Sequence, residues 1–402
     1  MGTVNSSGNG AAPDTRVPSA PTVLQVLPAL VTGGVERGTI DIALALKAAG
    51  WGSIVASSGG PMVNELDRAG VTHVTLPLQS KNPFVMQGNT NALARLIHDS
   101  KVDIVHARSR APAWSALRAA RRMDAHFVTT FHGTYNAQNY FKRRYNAVMA
   151  RGERIIAISD FIARHVEERY GADPSRIRTV PRGVDIGIFD PAAVPAVRMI
   201  ALATAWRLPD GMPVVMLPGR LTRWKGQGVL IDALAELGRA DVRCLIVGSD
   251  QGRTGYREEL EQQVAARNLG SVVHIVDHCR DMPAAYMLAD VVVSASTDPE
   301  AFGRVAAEAQ AMGRPVVATD HGGSRETVVP GETGWLVRPG SPSDLAQAIR
   351  EALGLNARNR AIMAAKARAH VLANFTVARM QEQTLAVYRE VLGRVKPAPP
   401  LT

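Results

Sequence analysis

Cysteine is scarce in this chain, and its scarcity excludes a fold class. Two cysteines in 402 residues, Cys244 and Cys279, cannot build a disulfide framework. Cys244 lies in the apolar run Val242-Arg243-Cys244-Leu245-Ile246-Val247 and reads as a buried thiol in a reducing compartment. Cys279 follows His278, but no second Cys/His cluster stands at ligand spacing, so no zinc site is expected. No run of eighteen or more apolar residues occurs, which excludes a membrane-spanning helix. Met1 to Pro21 is rich in Gly, Ser, Pro and Asn and has no apolar centre; it reads as a disordered leader, not a secretory signal. No Gly-x-Gly-x-x-Gly follows the first strand, and Gly248–Gly255 only loosely imitates one, which speaks against a nicotinamide dehydrogenase. Asp-x-Asp, the usual carboxylate pair for a divalent ion on a diphosphate, is missing as well. Neither a metal nor any other cofactor is expected.

The remaining composition is that of an ordinary globular protein, 46% hydrophobic and 20% charged. Its length suits two domains of about 150–200 residues. The formal net charge is +10, unevenly spread: residues 1–200 hold 23 Lys+Arg against 15 Asp+Glu, and residues 201–402 hold 23 against 21. The excess includes Arg108, Arg110, Arg118, Arg121, Arg122, Lys142, Arg143 and Arg144. A solvated basic face is one reading; attraction to anionic headgroups or a phosphorylated acceptor is the other. Nucleic acid is not an expected partner, for want of a reader helix, an RNA-binding aromatic signature or a zinc finger.

Short β-rich runs alternate with longer amphipathic ones, the rhythm of parallel βαβ units. Strands are expected at 23–27, 53–57, 72–76, 104–106, 127–130, 154–158 and 178–180, then at 214–217, 243–247, 273–276, 291–294 and 316–318. Ile186 to Pro213 interrupts the pattern with four prolines and one helical stretch, 193–206. The expected organisation is a leader (1–20), a first domain (21–190), a linker (191–212), a second domain (213–375) and a C-terminal helix and tail (376–402) crossing back to the first domain. A single helical tail is read over about 357–395, and Ser341-Pro342 opens the helix before it. The fold class is α/β, two doubly wound domains facing across a cleft. In such sheets ligands bind beyond the carboxyl ends of the strands.

Thr297 to Glu308 follows one such end and leads into a helix. Glu300 precedes that helix and Glu308 is read about two turns in. Free N–H groups at a helix start suit a phosphate or polar oxygens, and two carboxylates so spaced can accept from two parts of one extended ligand. By themselves two such glutamates are more often a cap and a surface residue. Gly219-Arg220-Leu221-Thr222-Arg223-Trp224-Lys225-Gly226 follows another strand; there Arg220 and Lys225 can converge on one dianion, the first as a fork and the second as a point charge. Loop cations alone are more often solvated.

Together these motifs resemble the retaining glycosyltransferases of family 4, which have the GT-B fold of two Rossmann-like domains. The resemblance runs from about Thr22 to about Val395. It extends to Gly33-Gly34-Val35-Glu36-Arg37, Thr130-Phe131-His132-Gly133-Thr134, Ile158-Ser159-Asp160, Pro181-Arg182-Gly183-Val184-Asp185, Gly313 to Thr319, Gly322-Gly323 and Gly331-Glu332-Thr333-Gly334. It implies that Arg220 and Lys225 grip a donor diphosphate, Glu308 the ribose and Glu300 the transferred sugar. Backbone at Phe302 and Gly303 would assist, with Gly33 and Gly34 against phosphate or acceptor. His132 is implied in sugar contact or catalysis, while Asp277 to Met282 is placed beside the base. Arg182 departs from the family pattern, which often has Asn there.

The implied activity is transfer of a hexose from GDP-mannose or a UDP-sugar, with retention, to a lipid-linked or saccharide acceptor of cell-envelope glycans such as lipopolysaccharide. The expected location is cytoplasmic, or peripheral on the inner face of the membrane. Alternatives are a soluble small-molecule acceptor, a sugar-nucleotide epimerase of the same fold, or a silent binding module, which the four intact charged residues speak against.

Overall fold

A computed structural model describes residues 20–31, 33–135, 139–252 and 254–393. The expected leader, except its last residue, and the proline-rich end fall outside them. Among the described residues, thirteen strands form two sheets. The first holds β1 (Thr22–Val26), β2 (Gly52–Ser57), β3 (Thr72–Thr75), β4 (Ile104–Ala107), β5 (His126–Phe131), β6 (Arg154–Ala157) and β7 (Ile177–Thr179), in the order β3-β2-β1-β4-β5-β6-β7. The second holds β8 (Val214–Pro218), β9 (Arg243–Val247), β10 (Val273–Val276), β11 (Val291–Ser294), β12 (Val316–Thr319) and β13 (Gly334–Val337), in the order β10-β9-β8-β11-β12-β13. Every pairing is parallel. The strand order therefore reverses between β1 and β4, and again between β8 and β11, and each reversal opens a crevice at the carboxyl ends.

Burial explains why the inner strands read so clearly. All residues of β4, β8, β11 and β12 are buried, as expected where helices cover both faces. The edge strands β3 and β13 are only partly covered. Sequence reading missed β13, because Trp335-Leu336-Val337 is too short a run to separate from a loop by periodicity.

The helical tail is not one helix. It divides into Ala357–Asn374 and Val377–Val391. Thr376 Oγ1 accepts from Arg379 N at 3.2 Å and caps the second helix. The break is fixed from elsewhere in the chain: Val184 N donates to Phe375 O at 2.7 Å, and Val377 N to Val184 O at 3.1 Å. No glycine or proline marks this break, so a tertiary contact decided what local sequence did not. Val377–Val391 lies against the first sheet. Met380, Leu385, Val387 and Tyr388 complete an apolar cluster with Val23, Ile104, Val128 and Ile156. Tyr388 hydroxyl meets His106 Nδ1 at 2.6 Å, and Glu390 binds Arg154 at 2.7 Å and Arg178 at 2.5 Å. At the other predicted opening, Ser341 Oγ accepts from Asp344 N and Pro342 is the first helical residue.

The two sheet domains touch directly. Ser159 Oγ donates to Ala301 O at 2.6 Å. Glu326, in the second domain, accepts from Asp160 N at 2.8 Å and Phe161 N at 2.7 Å. It thereby caps the helix Asp160–Tyr170 of the first domain, where a carboxylate also meets the positive end of the helix dipole.

Candidate functional site

The charged residues singled out by sequence gather at the second crevice. The loop after β8 passes through a short turn, Arg223–Lys225, that Gly226 closes with φ 74°. A Cβ at Gly226 would stand 1.9 Å from Ala295 O, so only glycine lets this loop lie against the end of β11. Lys225 Nζ reaches across and donates to Glu300 Oε1 at 2.5 Å. Ser296 Oγ donates to the same oxygen at 2.6 Å. With side-chain exposures of 16% and 13%, Lys225 and Glu300 form a pair whose attraction is stronger than at an open surface. Lys225 also sits 4.4 Å from the Trp224 ring centroid. Arg220 shares the loop, with an exposed side chain and, among the described residues, no carboxylate partner. Its carbonyl is held by Gln227 Nε2 at 2.9 Å.

The helix after β11 begins at Arg304 and ends at Ala311. Glu308 is therefore just over one turn in, not two, because the Pro299–Gly303 segment stays outside the helix as far as a left-handed Gly303 (φ 91°). Both Glu308 oxygens are engaged: Oε1 accepts from Arg304 Nε at 2.7 Å and Oε2 from Tyr286 hydroxyl at 3.0 Å. Burial, reinforced by the Glu308 charge, keeps the Tyr286 hydroxyl protonated. Arg304 is 46% exposed and can swing aside at little expense. The Phe302 ring is buried and stacks edge-on against Phe375 at 5.4 Å. Gly323 N donates to Glu300 O at 2.7 Å, fixing the turn from below.

Opposite stands the first domain. Gly33 and Gly34 open the helix Gly34–Ala48 after β1. His132 follows β5, and Gly133 is near enough to the Glu300 turn that a Cβ on it would lie 3.9 Å from Ala301 Cβ. Arg182 donates to Gly34 O and, at 2.8 Å, meets His132 Nδ1. A guanidinium only donates, so Nδ1 must accept and Nε2 carries the ring proton. That Nε2 is sealed from solvent without a protein partner, as is Arg108 Nε. Both residues line a cavity of about 20 Å³ with Thr130, Arg182 and Thr384. Burial, then the Arg182 and Arg108 charges, pushes His132 well below the usual imidazole range. Burial beside Arg108 and Arg304 brings Arg182 down to about 9.

Asp277 and Met282, expected beside the base, are less tightly placed. Asp277 is 82% exposed and pairs with Arg257 at 2.6 Å; Met282 opens the helix Met282–Leu288 and packs against the core. A depression of about 490 Å³ borders the Trp224 turn, lined by Leu221, Arg223, Tyr256 and Glu259, and neither Lys225 nor Glu300 lines it. Among the described residues, no three His, Cys, Asp or Glu side chains cluster to hold a metal. Sequence reasoning missed Ser296, Arg304, Tyr286 and Glu326, and it met Arg108 only as one charge in a basic run. Tyr286 gave no signal, since nothing local ties its helix to Glu308; Ser159, beside the cleft, lay inside a motif already marked.

Known proteins share this fold. The model described as "Glycosyltransferase Family 4" matches residues 32–187, and the one described as "Glycosyl transferases group 1" matches 202–370. A D-inositol 3-phosphate glycosyltransferase of Xylanimonas cellulosilytica is 35% identical over 66% of this chain and 67% of its own length. Among solved structures, a glycosyltransferase from Rickettsia africae superposes with a TM-score of 0.87 at 39% identity, covering 94% of this chain and 100% of that one. Anabaena Alr3699/HepE, solved with UDP-glucose, shares the fold at a TM-score of 0.80 and 24% identity, over 92% and 99% of the two chains. Two parallel sheets that meet at their crevices, one family model for each, and whole-length likeness to a solved glycosyltransferase agree: this chain is a GT-B glycosyltransferase of family 4.

Proposed function

We propose that the chain transfers a hexose from a UDP- or GDP-linked donor to an acceptor hydroxyl, with retention of anomeric configuration and without a resident metal. The observation that carries this reading is the Lys225–Glu300 pair at the β8/β11 crevice beside the start of the Arg304 helix. Arg220 and Lys225 would neutralise the donor diphosphate. Glu300 would take hydroxyls of the transferred sugar, and Glu308 the ribose hydroxyls once Arg304 yields one oxygen. Gly33, Gly34 and the Phe302–Gly303 backbone would complete the phosphate and sugar contacts. That the Anabaena protein was solved with UDP-glucose supports this donor class.

In the step itself the bond between the anomeric carbon and the leaving phosphate oxygen breaks, and the acceptor oxygen bonds to that carbon on the same face. The acceptor's proton passes to the leaving phosphate. Arg220 and Lys225 stabilise the charge that develops there. Neither Glu300, held by a cation and a hydroxyl, nor Glu308, held by Arg304 and Tyr286, stands as a ready nucleophile of the kind retaining hydrolases use. His132, neutral, with Nδ1 held by Arg182 and Nε2 sealed from solvent, would donate to a sugar hydroxyl only if its loop shifts on donor binding, and would not act as a base.

Lys225→Ala should lower kcat at least about a hundredfold; turnover within a few-fold of wild type would sink the charge-stabilisation mechanism. Donor identity follows from which nucleotide sugar raises the melting temperature by mass action. NMR of the product's anomeric proton tests retention, and EDTA inactivation reversed by Mg²⁺ or Mn²⁺ would overturn metal independence. The acceptor favoured here is a lipid-linked or saccharide intermediate of cell-envelope glycans. A soluble phosphorylated acceptor is the second reading, supported by the relatives named for D-inositol 3-phosphate.

A further inference from the structure

Three aromatic side chains are out of place for a water-soluble surface. Phe84 is 87% exposed, Phe141 80% and Tyr140 67%. Isolated exposed apolar groups need no explanation, but a group of large rings does. Their positions in the fold are related. Phe84 follows β3 at the start of the helix Pro83–Asp99, and Tyr140 and Phe141 follow β5 in the helix Tyr140–Asn146. Both segments leave carboxyl ends of the first sheet, the edge on which His132 and the cleft lie. The helix Arg110–Arg122 joins them: Ser115 Oγ donates to Met86 O at 2.9 Å and Trp114 Nε1 to Tyr145 O at 3.1 Å. Phe84 and the Tyr140 helix thus flank one helix end.

The rings sit among cations. Lys81, Lys142, Arg143 and Arg144 are exposed, and among the described residues none forms an ion pair. Residues 104–152 contain nine Lys and Arg against a single acid, Asp124. Apolar rings projecting beside cations without acidic partners suit a surface that offers hydrocarbon beneath a layer of negative charge.

We propose that this rim, formed by Phe84, Tyr140 and Phe141 with Lys81, Lys142, Arg143 and Arg144, docks on a bilayer bearing anionic lipids and presents the cleft mouth to it. The lipid-linked acceptor of the function proposed above would then meet the enzyme at the surface that holds it. Docking is read from binding alone, so it stands or falls apart from the catalytic reading.

The test is co-sedimentation of the full chain with vesicles of phosphatidylcholine, alone or mixed with phosphatidylglycerol, at low and high salt. Binding to the mixed vesicles only, weakened by salt, is expected. Lys142→Gln with Arg143→Gln should lower the partition coefficient about thirtyfold, from the attraction of two lost cations. Phe84→Ser with Phe141→Ser should remove the part of binding that survives salt. Both variants should keep the wild-type melting curve and donor-induced thermal shift, which excludes misfolding. Equal binding to both vesicle types, or wild-type binding by both double variants, would overturn the proposal. So would self-association in sedimentation velocity that Phe84→Ser with Phe141→Ser abolishes, since the rim would then bind a second copy.

Discussion

Lys225, Glu300, Glu308 and Arg220 are legible from the amino-acid sequence only as a set, because each alone reads as a cap or a solvated charge and the order of motifs along the chain singles them out. Their partners are not. Tyr286 reaches Glu308 from a separate helix, Arg304 lies one turn before Glu308 on the same helix at a spacing that any surface pair can have, and Ser296 shares Glu300 with Lys225 in a geometry that spacing alone does not give. Arg182 is the instructive case. It departs from the family pattern in sequence, and in the fold it ties the Gly34 carbonyl to His132 and fixes the tautomer of that ring. The buried imidazoles carry a pH consequence. Burial, reinforced by Arg108, holds His106 well below its ordinary range, and His132 is lowered likewise. Their unfolded values lie near 6.5, so below that pH the unfolded chain binds protons that the folded chain refuses. Stability is then fully present above about pH 6.5 and declines as pH falls beneath it. Thermal melts should show a nearly constant Tm from pH 8 to about 7 and a falling one towards about pH 5.5. His106→Asn should melt lower at pH 8, having lost its contacts to Tyr388 and Thr130, yet with a shallower slope in acid. A flat wild-type profile would contradict the neutral assignment.

At the level of elements, the fully buried strands announce themselves and the boundaries set by distant contacts do not. The edge strand β13 and the break at Phe375-Thr376 both depend on neighbours far along the chain. Gly226 shows the opposite, a local residue on which the placement of a whole loop depends. Gly226→Ala would bring a methyl against Ala295 O while holding φ in a region costly for alanine, a strain of about 1–3 kcal/mol. For a domain of this size that lowers Tm by roughly 2–12 °C. Because Lys225 is displaced with the loop, kcat/KM should fall further than stability does. Differential scanning calorimetry and steady-state kinetics check both; an unchanged Tm would mean the loop accommodates the methyl by moving off β11.

For the whole molecule, the doubly wound pairing is readable from rhythm, whereas the way the domains meet is not. The Glu326 cap on the Asp160 helix and the Ser159 bond to Ala301 connect the first domain to the turn that carries Glu300. Glu326→Ala removes two hydrogen bonds to backbone N–H groups, and the cleft should open about the Val184–Phe375 crossing. Small-angle scattering should then report a larger radius of gyration, and the donor KM should rise several-fold, while the lost cap, worth about 1 kcal/mol, lowers Tm by roughly 2–4 °C. An identical scattering profile would show that the other contacts alone keep the cleft closed.

The returning helix has one more consequence, for synthesis. His106 and its partner Tyr388 are 282 residues apart, and the apolar face of the first sheet is finished by Met380, Leu385, Val387 and Tyr388. At about 5–20 residues per second of translation, that face waits roughly 15–60 s for its cover after His106 is made. During that interval the first half of the chain is an incomplete domain on the ribosome. Its folding is therefore completed by translation of the second half, and a nascent chain stalled between the two leaves that apolar face uncovered.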